Sequence, residues 1–419
     1  MEIRGRDPCA EEDLLSKKMR KALESRKSRG LVRQLTLEQS SCLENDFGSN
    51  DYLGLARSEM LRGTASKILE RYQCVNGSTG SRLVTGNSQL AEDVEELAAK
   101  FHNSESAVLF NSGFNANHGL LGCLASKDDA ILWDERCHAS SREGTRVTNS
   151  SHVKAFRHND LDSLHKELTA ALERVTGAVI IVVESLYSMD GDLVPLKRLF
   201  KRIEFGGRRV SVVIDEAHTV GLYGGNGSGY VCERGFENHP NLLARVVSLG
   251  KAFGCHGGFV LGSRLLRDYL LNYARPLIFS SALPKSSLAT ILGAYEAMDS
   301  TEIREKRARV FTLSEYLRSE IDASPVVRSL VMTPMGTTNI CSLAVVGAEF
   351  CVWVADQLAL KGFRVMAVRP PTVSPGTERI RITVHSHNVA RSIRELVRCL
   401  EEIILTADDG AVLPSAAKL

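Results

Sequence analysis

The chain has 419 residues, 43% hydrophobic and 24% charged, with a net charge of +2. That length suits one large domain and a smaller one, and the near-balanced charge argues against a dedicated nucleic-acid binder. The ten cysteines follow no C-x-x-C or other paired spacing, which fits a reducing compartment and speaks against a disulfide framework or a structural zinc site.

Residues 10–29 read as a basic helix with Leu14, Leu15, Met19, Ala22 and Leu23 at helical spacing. A turn-rich stretch, N-D-F-G-S-N-D-Y-L-G-L, follows and completes an N-terminal arm over 1–57. The N-terminus has no signal-peptide core, and no apolar run reaches the roughly 18 residues of a membrane span. The glycine-rich C-V-N-G-S-T-G-S-R-L-V-T-G-N-S at 74–88 leads into a helix whose buried stripe is Leu90, Val94, Leu97, Ala98 and Phe101. Candidate strands then fall at 106–110, 129–133, 153–156, 178–184, 210–214, 245–249 and 258–262. Helical patterns such as 114–125 and 161–174 separate most of them. This alternation predicts an α/β fold, with a large domain over 58–284 built on a mostly parallel seven-stranded sheet covered on both faces.

After Pro284 the texture changes. Residues 285–323 read as long helix, 338–385 mix strands with a helix at 349–361, and 388–404 are an amphipathic helix. Together 285–407 form a small C-terminal α/β domain. A tail over 408–419 ends in Ala417-Lys418-Leu419, a close variant of the Ser-Lys-Leu peroxisomal address. The expectation is delivery to the peroxisome by its import receptor, and a cytoplasmic protein otherwise.

Three β-branched runs end on chemically capable residues. V-V-E-S-L-Y-S carries Ser185 and Ser188, V-V-I-D-E-A-H carries Asp215 and His218, and V-V-S-L-G-K carries Ser248 and Lys251. Ligands of an open α/β sheet bind beyond the carboxyl ends of its strands. A lysine amine attacks aldehydes, and with an acid for the ring nitrogen and donors for a phosphate it makes a pyridoxal-phosphate site. Singly, Lys251 reads as a strand end and Asp215 as the start of a loop; the ordered set favours the cofactor.

S-G-F-N-A-N at 112–117 opens a helix whose free N–H groups can cradle a phosphate, with Ser112, Gly113 and Phe114 at its start. W-D-E-R-C-H-A-S puts His138 on the same rim, where it can stack on an aromatic ring. In R-P-P-T-V-S-P-G-T-E-R-I-R-I-T-V, Arg379 and Arg381 share a strand face, and either can clamp a carboxylate. D-E-A-H also occurs in helicases, but the phosphate loop that reading needs is missing, and G-G-N-G-S-G at 224–229 reads as a loop rather than a dinucleotide fingerprint. The chain has no H-x-x-x-H or H-E-x-x-H pair, and no metal is assigned.

N-D-Y-L-G-L, G-S-T-G-S-R, S-G-F-x-A-N, H-A-S, H-N-D, S-M-D-G-D, D-E-A-H, G-K-A-F-G and G-T-E-R-I-R, in this order, resemble the α-oxoamine synthases, pyridoxal-phosphate enzymes of fold type I. The likeness spans roughly residues 20–405. It implies that Lys251 carries the cofactor and moves the substrate α-proton, that Asp215 pairs with the ring nitrogen, and that His218 and Ser188 contact the ring hydroxyl. His138 would stack on the ring. Ser112, Gly113, Phe114 and Ser248 would hold the phosphate, with Ser280 or Ser281 reaching across a homodimer interface. Arg381, Asn50, Gly80 and Ser81 would lie near substrate.

The implied reaction joins an amino acid to an acyl-CoA with loss of CoA and carbon dioxide. R-P-P-T-V-x-x-G-T-x-R is most similar to 8-amino-7-oxononanoate synthases of a fungal type, which use L-alanine and pimeloyl-CoA in biotin synthesis. Arg33 matches an arginine those enzymes place near the acyl substrate. Two alternatives stand beside this. One is a related synthase joining another acyl thioester to serine, glycine or alanine. The other is a non-catalytic partner subunit, against which the presence of Lys251 weighs.

Overall fold

A computed structural model describes residues 13–33, 35, 42–74, 76–332 and 338–409; Ala417-Lys418-Leu419 lies outside the described residues. All seven expected strands form: β1 Ser106–Phe110, β2 Ala130–Asp134, β3 His152–Phe156, β4 Val179–Glu184, β5 Val210–Asp215, β6 Leu242–Ser248 and β7 Gly258–Gly262. Their order across the sheet is β1-β7-β6-β5-β4-β2-β3. Only β7 runs against its neighbours. β4 reads V-I-I-V-V-E and every residue in it is buried, the continuous pattern of a strand covered on both faces. Because β1, β2, β4, β5 and β6 point the same way, their carboxyl ends share one rim.

A second, antiparallel sheet has the order β8-β10-β9, from Ile340–Ala344, Met366–Val368 and Arg379–Thr383. The helices Ala348–Leu360 and Ala390–Asp409 accompany it. The N-terminal arm ties the two sheets together: Tyr52, Leu53 and Leu55 enter the large core, whereas Phe47 enters the second.

The seam between the cores falls later than residue 285. The stretch read as one long helix divides into Lys285–Ala297 and Thr301–Ala323, and the Ser300 side chain caps the second by accepting from the Ile303 amide. Leu288, Ile291 and Leu292 pack in the large core, as do Ile303 and Val310, while Leu313, Leu317 and Ile321 belong to the small one. The boundary therefore runs through the middle of a helix, where no change of texture marks it. The helix Leu14–Lys27 leaves Leu14, Leu15, Met19 and Leu23 between 53% and 70% exposed. Among the described residues no helix is long and apolar enough to cross a membrane.

Candidate active site

The floor of the site is carboxylic. Asp215 ends β5 directly beside Glu184, the last residue of β4. Both side chains are buried. Asp215 Oδ1 accepts from the Ala217 amide at 2.9 Å and Oδ2 from Asn117 Nδ2 at 2.6 Å. Each oxygen retains a further lone pair for an incoming donor. Asn117 lies one turn inside the helix Gly113–Leu124 and also donates to Ser140 Oγ at 3.0 Å. Ser140 Oγ in turn sits 2.7 Å from His138 Nδ1. The His138 amide donates to Glu184 Oε1. A relay of small polar groups thus fixes His138 above Asp215. Burial, reinforced by the charge of Asp215, pushes the Glu184 carboxyl well above its usual range.

Lys251 follows β6 in a turn. Burial pulls its amine down to about 8, against the opposing pull of Asp215 and Glu184 and with help from Arg381. Its Nζ is 2.8 Å from His218 Nε2, and His218 Nδ1 is 2.6 Å from the Tyr52 hydroxyl. Burial, then Lys251 and Arg381, hold His218 well below its ordinary value. A neutral imidazole carries one N–H. When Nε2 accepts from the lysine ammonium, Nδ1 donates to the Tyr52 oxygen.

At the edge of the rim, the Ser112 side chain caps the helix Gly113–Leu124 by accepting from the Asn115 amide. A Cβ on Gly113 would lie 2.8 Å from Ser248 Cβ and 3.0 Å from its Oγ. Only glycine permits that approach, which brings Ser112, Gly113 and Ser248 to one helix N-terminus able to receive an anion. The Phe114 ring meets His138 edge-on at 6.4 Å.

The two arginines of β10 separate. Arg379 Nη1 binds Asp190 Oδ1 at 2.7 Å and the Met189 carbonyl at 3.1 Å, a buried structural pair. Arg381 donates to Asn50 Oδ1 at 2.8 Å and to the Ser188 carbonyl at 3.4 Å. Its Nε is buried and has no hydrogen-bond partner among the described residues. Arg381 is thus the one with a donor to spare. The serine pair also divides: Ser185 turns into the core, where its Oγ donates to the Asp215 carbonyl at 3.0 Å and meets Thr219. Ser188 lies beyond the strand in a turn, where its carbonyl accepts from Arg381.

Gly80, Ser81 and Ser281 belong to a loop cluster beside Asn111, the residue before Ser112. The Ala282 amide donates to the Gly80 carbonyl at 2.9 Å, the Gly86 amide to the Ser81 carbonyl at 2.9 Å, and Asn111 Nδ2 to the Ser281 carbonyl at 2.9 Å. Among the described residues no hydrogen bond joins this cluster to Lys251 or Asp215. Arg33 is exposed and donates to Thr372 Oγ1 at 3.2 Å. It lies on the R-P-P-T loop, whose Arg369 grips the carbonyls of Gly30 and Val32.

Tyr52, Asn117, Ser140 and Glu184 also belong to the site, although the motif reading gave them no role. Tyr52 stands two residues from Asn50, Asn117 one turn from Gly113, Ser140 two residues from His138, and Glu184 at the end of a strand run. Position in the motifs was the available signal. The full set fits pyridoxal phosphate: a lysine amine held near neutrality, an acid across from it, a glycine-permitted helix N-terminus, and a spare guanidinium N–H.

Residues 45–398 match the family "Aminotransferase class I and II". The chain is 35% identical to an 8-amino-7-oxononanoate synthase of Emericella nidulans, over 91% of this chain and 94% of that protein. It is 36% identical to a putative 8-amino-7-oxononanoate synthase of Bacillus licheniformis, over 88% and 93%. Among solved structures, a serine palmitoyltransferase with pyridoxal phosphate superposes with a TM-score of 0.82 at 25% identity, covering 95% of this chain and all of that one. An 8-amino-7-oxononanoate synthase of Francisella tularensis superposes with 0.72 at 25% identity, over 88% of this chain and 100% of that one. The chain belongs to the class I and II aminotransferase family, as an α-oxoamine synthase dependent on pyridoxal phosphate.

Proposed function

We propose that this enzyme condenses L-alanine with pimeloyl-CoA to give 8-amino-7-oxononanoate, CoA and carbon dioxide, a step of biotin synthesis. The observation that carries the reaction is the buried Lys251 amine, pulled down to about 8 beside His218 and within the field of the buried Asp215. The names of the relatives support the choice of product. In the reaction a carbon–carbon bond forms between the amino acid's α-carbon and the thioester carbonyl carbon. The carbon–sulfur bond breaks and CoA leaves as its thiol. The amino acid's carboxylate departs as carbon dioxide, and a proton takes its place.

Bound pyridoxal phosphate supplies the covalent hold on the amino acid and the electron sink that makes its α-carbon nucleophilic. Lys251 Nζ serves as the base for the α-proton and His218 keeps that amine oriented. Asp215 accepts from the ring nitrogen. The spare Nε of Arg381 binds the amino acid's carboxylate, and the exposed His138 on the rim faces the incoming thioester. Mass spectrometry of the product made from L-alanine and pimeloyl-CoA tests the assignment. Formation of 8-amino-7-oxononanoate supports it, and its absence while another acyl thioester is condensed removes it.

A second reading, a synthase for another acyl chain with serine or glycine, draws support from the closer superposition of a serine palmitoyltransferase. A homodimer is part of the proposal, supported by the unburied apolar stripe of Leu14, Leu15, Met19 and Leu23; analytical ultracentrifugation tests it. Peroxisomal delivery through Ala417-Lys418-Leu419 is likewise a proposal. A fluorescent fusion should be punctate and become diffuse when Leu419 is removed.

A further inference from the structure

A cleft of about 620 Å³ opens where the large domain meets the small one, within the usual size range of small-molecule sites. Each wall adjoins a residue of the site. Cys137 precedes His138, Met189 follows Ser188, and Arg379 stands two residues before Arg381 on β10. The loop that carries Pro370, Pro371 and Pro375 closes the remaining side.

Three arginines line this cleft, and they are not equivalent. Arg136 and Arg379 both bind the Asp190 carboxylate. Arg142 is half-buried, and among the described residues its guanidinium makes no hydrogen bond or ion pair. It follows His138, the N-cap of the helix Ala139–Arg146, by four residues, and its amide donates to the His138 carbonyl at 3.3 Å, so the two stand one turn apart. Its charge reaches the His138 imidazole. A guanidinium with five N–H donors, partly withdrawn from water, is stabilised by an anion presented to it. Glu135, the other acid on the cleft wall, is exposed.

We propose that this cleft receives the acyl arm of the thioester and that Arg142 binds a carboxylate at the far end of that arm. The inference rests on the condensation proposed above and names the residue that selects a dicarboxylic acyl thioester. The thioester carbonyl lies at His138, the methylenes run past Met189 and the prolines, and the terminal carboxylate meets Arg142 one helical turn away. That spacing suits a short dicarboxylic chain. A long alkyl chain would have to pass the guanidinium groups of Arg136, Arg142 and Arg379.

The test compares pimeloyl-CoA with heptanoyl-CoA, which has the same chain length and lacks the carboxylate. Turnover with L-alanine is measured on the cofactor-loaded protein, and binding of each thioester without amino acid is measured by calorimetry. The wild-type protein should prefer pimeloyl-CoA by about tenfold or more, the size of one charged hydrogen bond. Arg142→Gln should abolish that preference through KM rather than kcat, and Arg142→Lys should keep part of it. Arg146→Gln, which alters an exposed arginine paired with Glu143, should leave the preference intact.

No preference in the wild-type protein, or an unchanged preference in Arg142→Gln, overturns the carboxylate site while leaving the condensation standing. Loss of the preference in Arg33→Gln but not in Arg142→Gln overturns it as well. If no thioester is condensed, the reaction reading fails, and calorimetry still decides: equal binding of the two thioesters overturns the site, and a difference lost in Arg142→Gln upholds it.

Discussion

The Nζ of Lys251 lies 2.8 Å from Nε2 of His218, and the other nitrogen of that imidazole lies 2.6 Å from the Tyr52 hydroxyl. Three side chains from distant parts of the sequence thus form one hydrogen-bonded line ending on the amine. Burial depresses that amine to about 8, so far more of it is unprotonated at physiological pH than in a free lysine. Capture of pyridoxal phosphate by the cofactor-free protein should therefore speed up as pH rises to about 8 and level off above. A rate that still climbs steadily between pH 9 and 10 would contradict the assignment. The linkage has a definite sign: between about 8 and the unfolded value of 10.5 the unfolded chain binds more protons, so stability of the cofactor-free protein rises with pH across that window.

Arg381 and Arg379 should fail in different ways. Arg381→Gln removes a spare donor beside Asn50 and should raise KM for the amino acid at least tenfold, the effect of losing about 2 kcal/mol of charged hydrogen bonding. Arg379→Gln leaves Asp190 short of one partner in a pair whose side chains are 3% and 1% exposed, and should cost about 3 kcal/mol of folding stability. Denaturant titration and steady-state kinetics on both variants separate the two. Equal kinetic defects with equal stability would refute the division.

His158 supplies a second pH signature. Burial alone would lower its pKa, but Asp134 at 2.9 Å and Asp192 at 3.0 Å override that and hold it up at about 9. The raised value contributes stability that is fully present below the unfolded value of 6.5 and is lost as pH rises through about 9. His158→Gln should therefore be destabilising by about 3 kcal/mol at pH 6, with the gap to wild type narrowing steadily up to pH 9. A gap independent of pH would show that the imidazole is not charged in the folded protein.

Gly113→Ala should weaken the cofactor more than the fold. The added methyl group would stand 2.8 Å from Ser248 Cβ, which forces apart the two walls of the phosphate cradle at a cost of about 1–3 kcal/mol. Fluorescence titration with pyridoxal phosphate should show affinity reduced by about tenfold or more. Unchanged affinity would place the phosphate elsewhere.

The large sheet was legible because its strands are continuous β-branched runs, and β4 and β5 are buried along nearly their whole length. The rim residues were legible because each follows such a run. What stayed hidden depends on partners far away in the chain. Tyr52 meets His218 across 166 residues and Asn117 meets Asp215 across 98, separations that no local spacing encodes. Period two put Arg379 and Arg381 on one face correctly, yet it carries no information on which of them reaches Asp190. The helix Thr301–Ala323 hid the domain seam, because one amphipathic pattern serves both cores.

The most direct measurement is CoA release by the purified, pyridoxal-loaded protein with L-alanine against a panel of acyl-CoA thioesters, run beside Lys251→Ala. The proposed condensation predicts release with pimeloyl-CoA well above the unfunctionalised chains, and none from the lysine variant. Release from Lys251→Ala at the wild-type rate, or no release from the wild-type protein with any thioester, would contradict it.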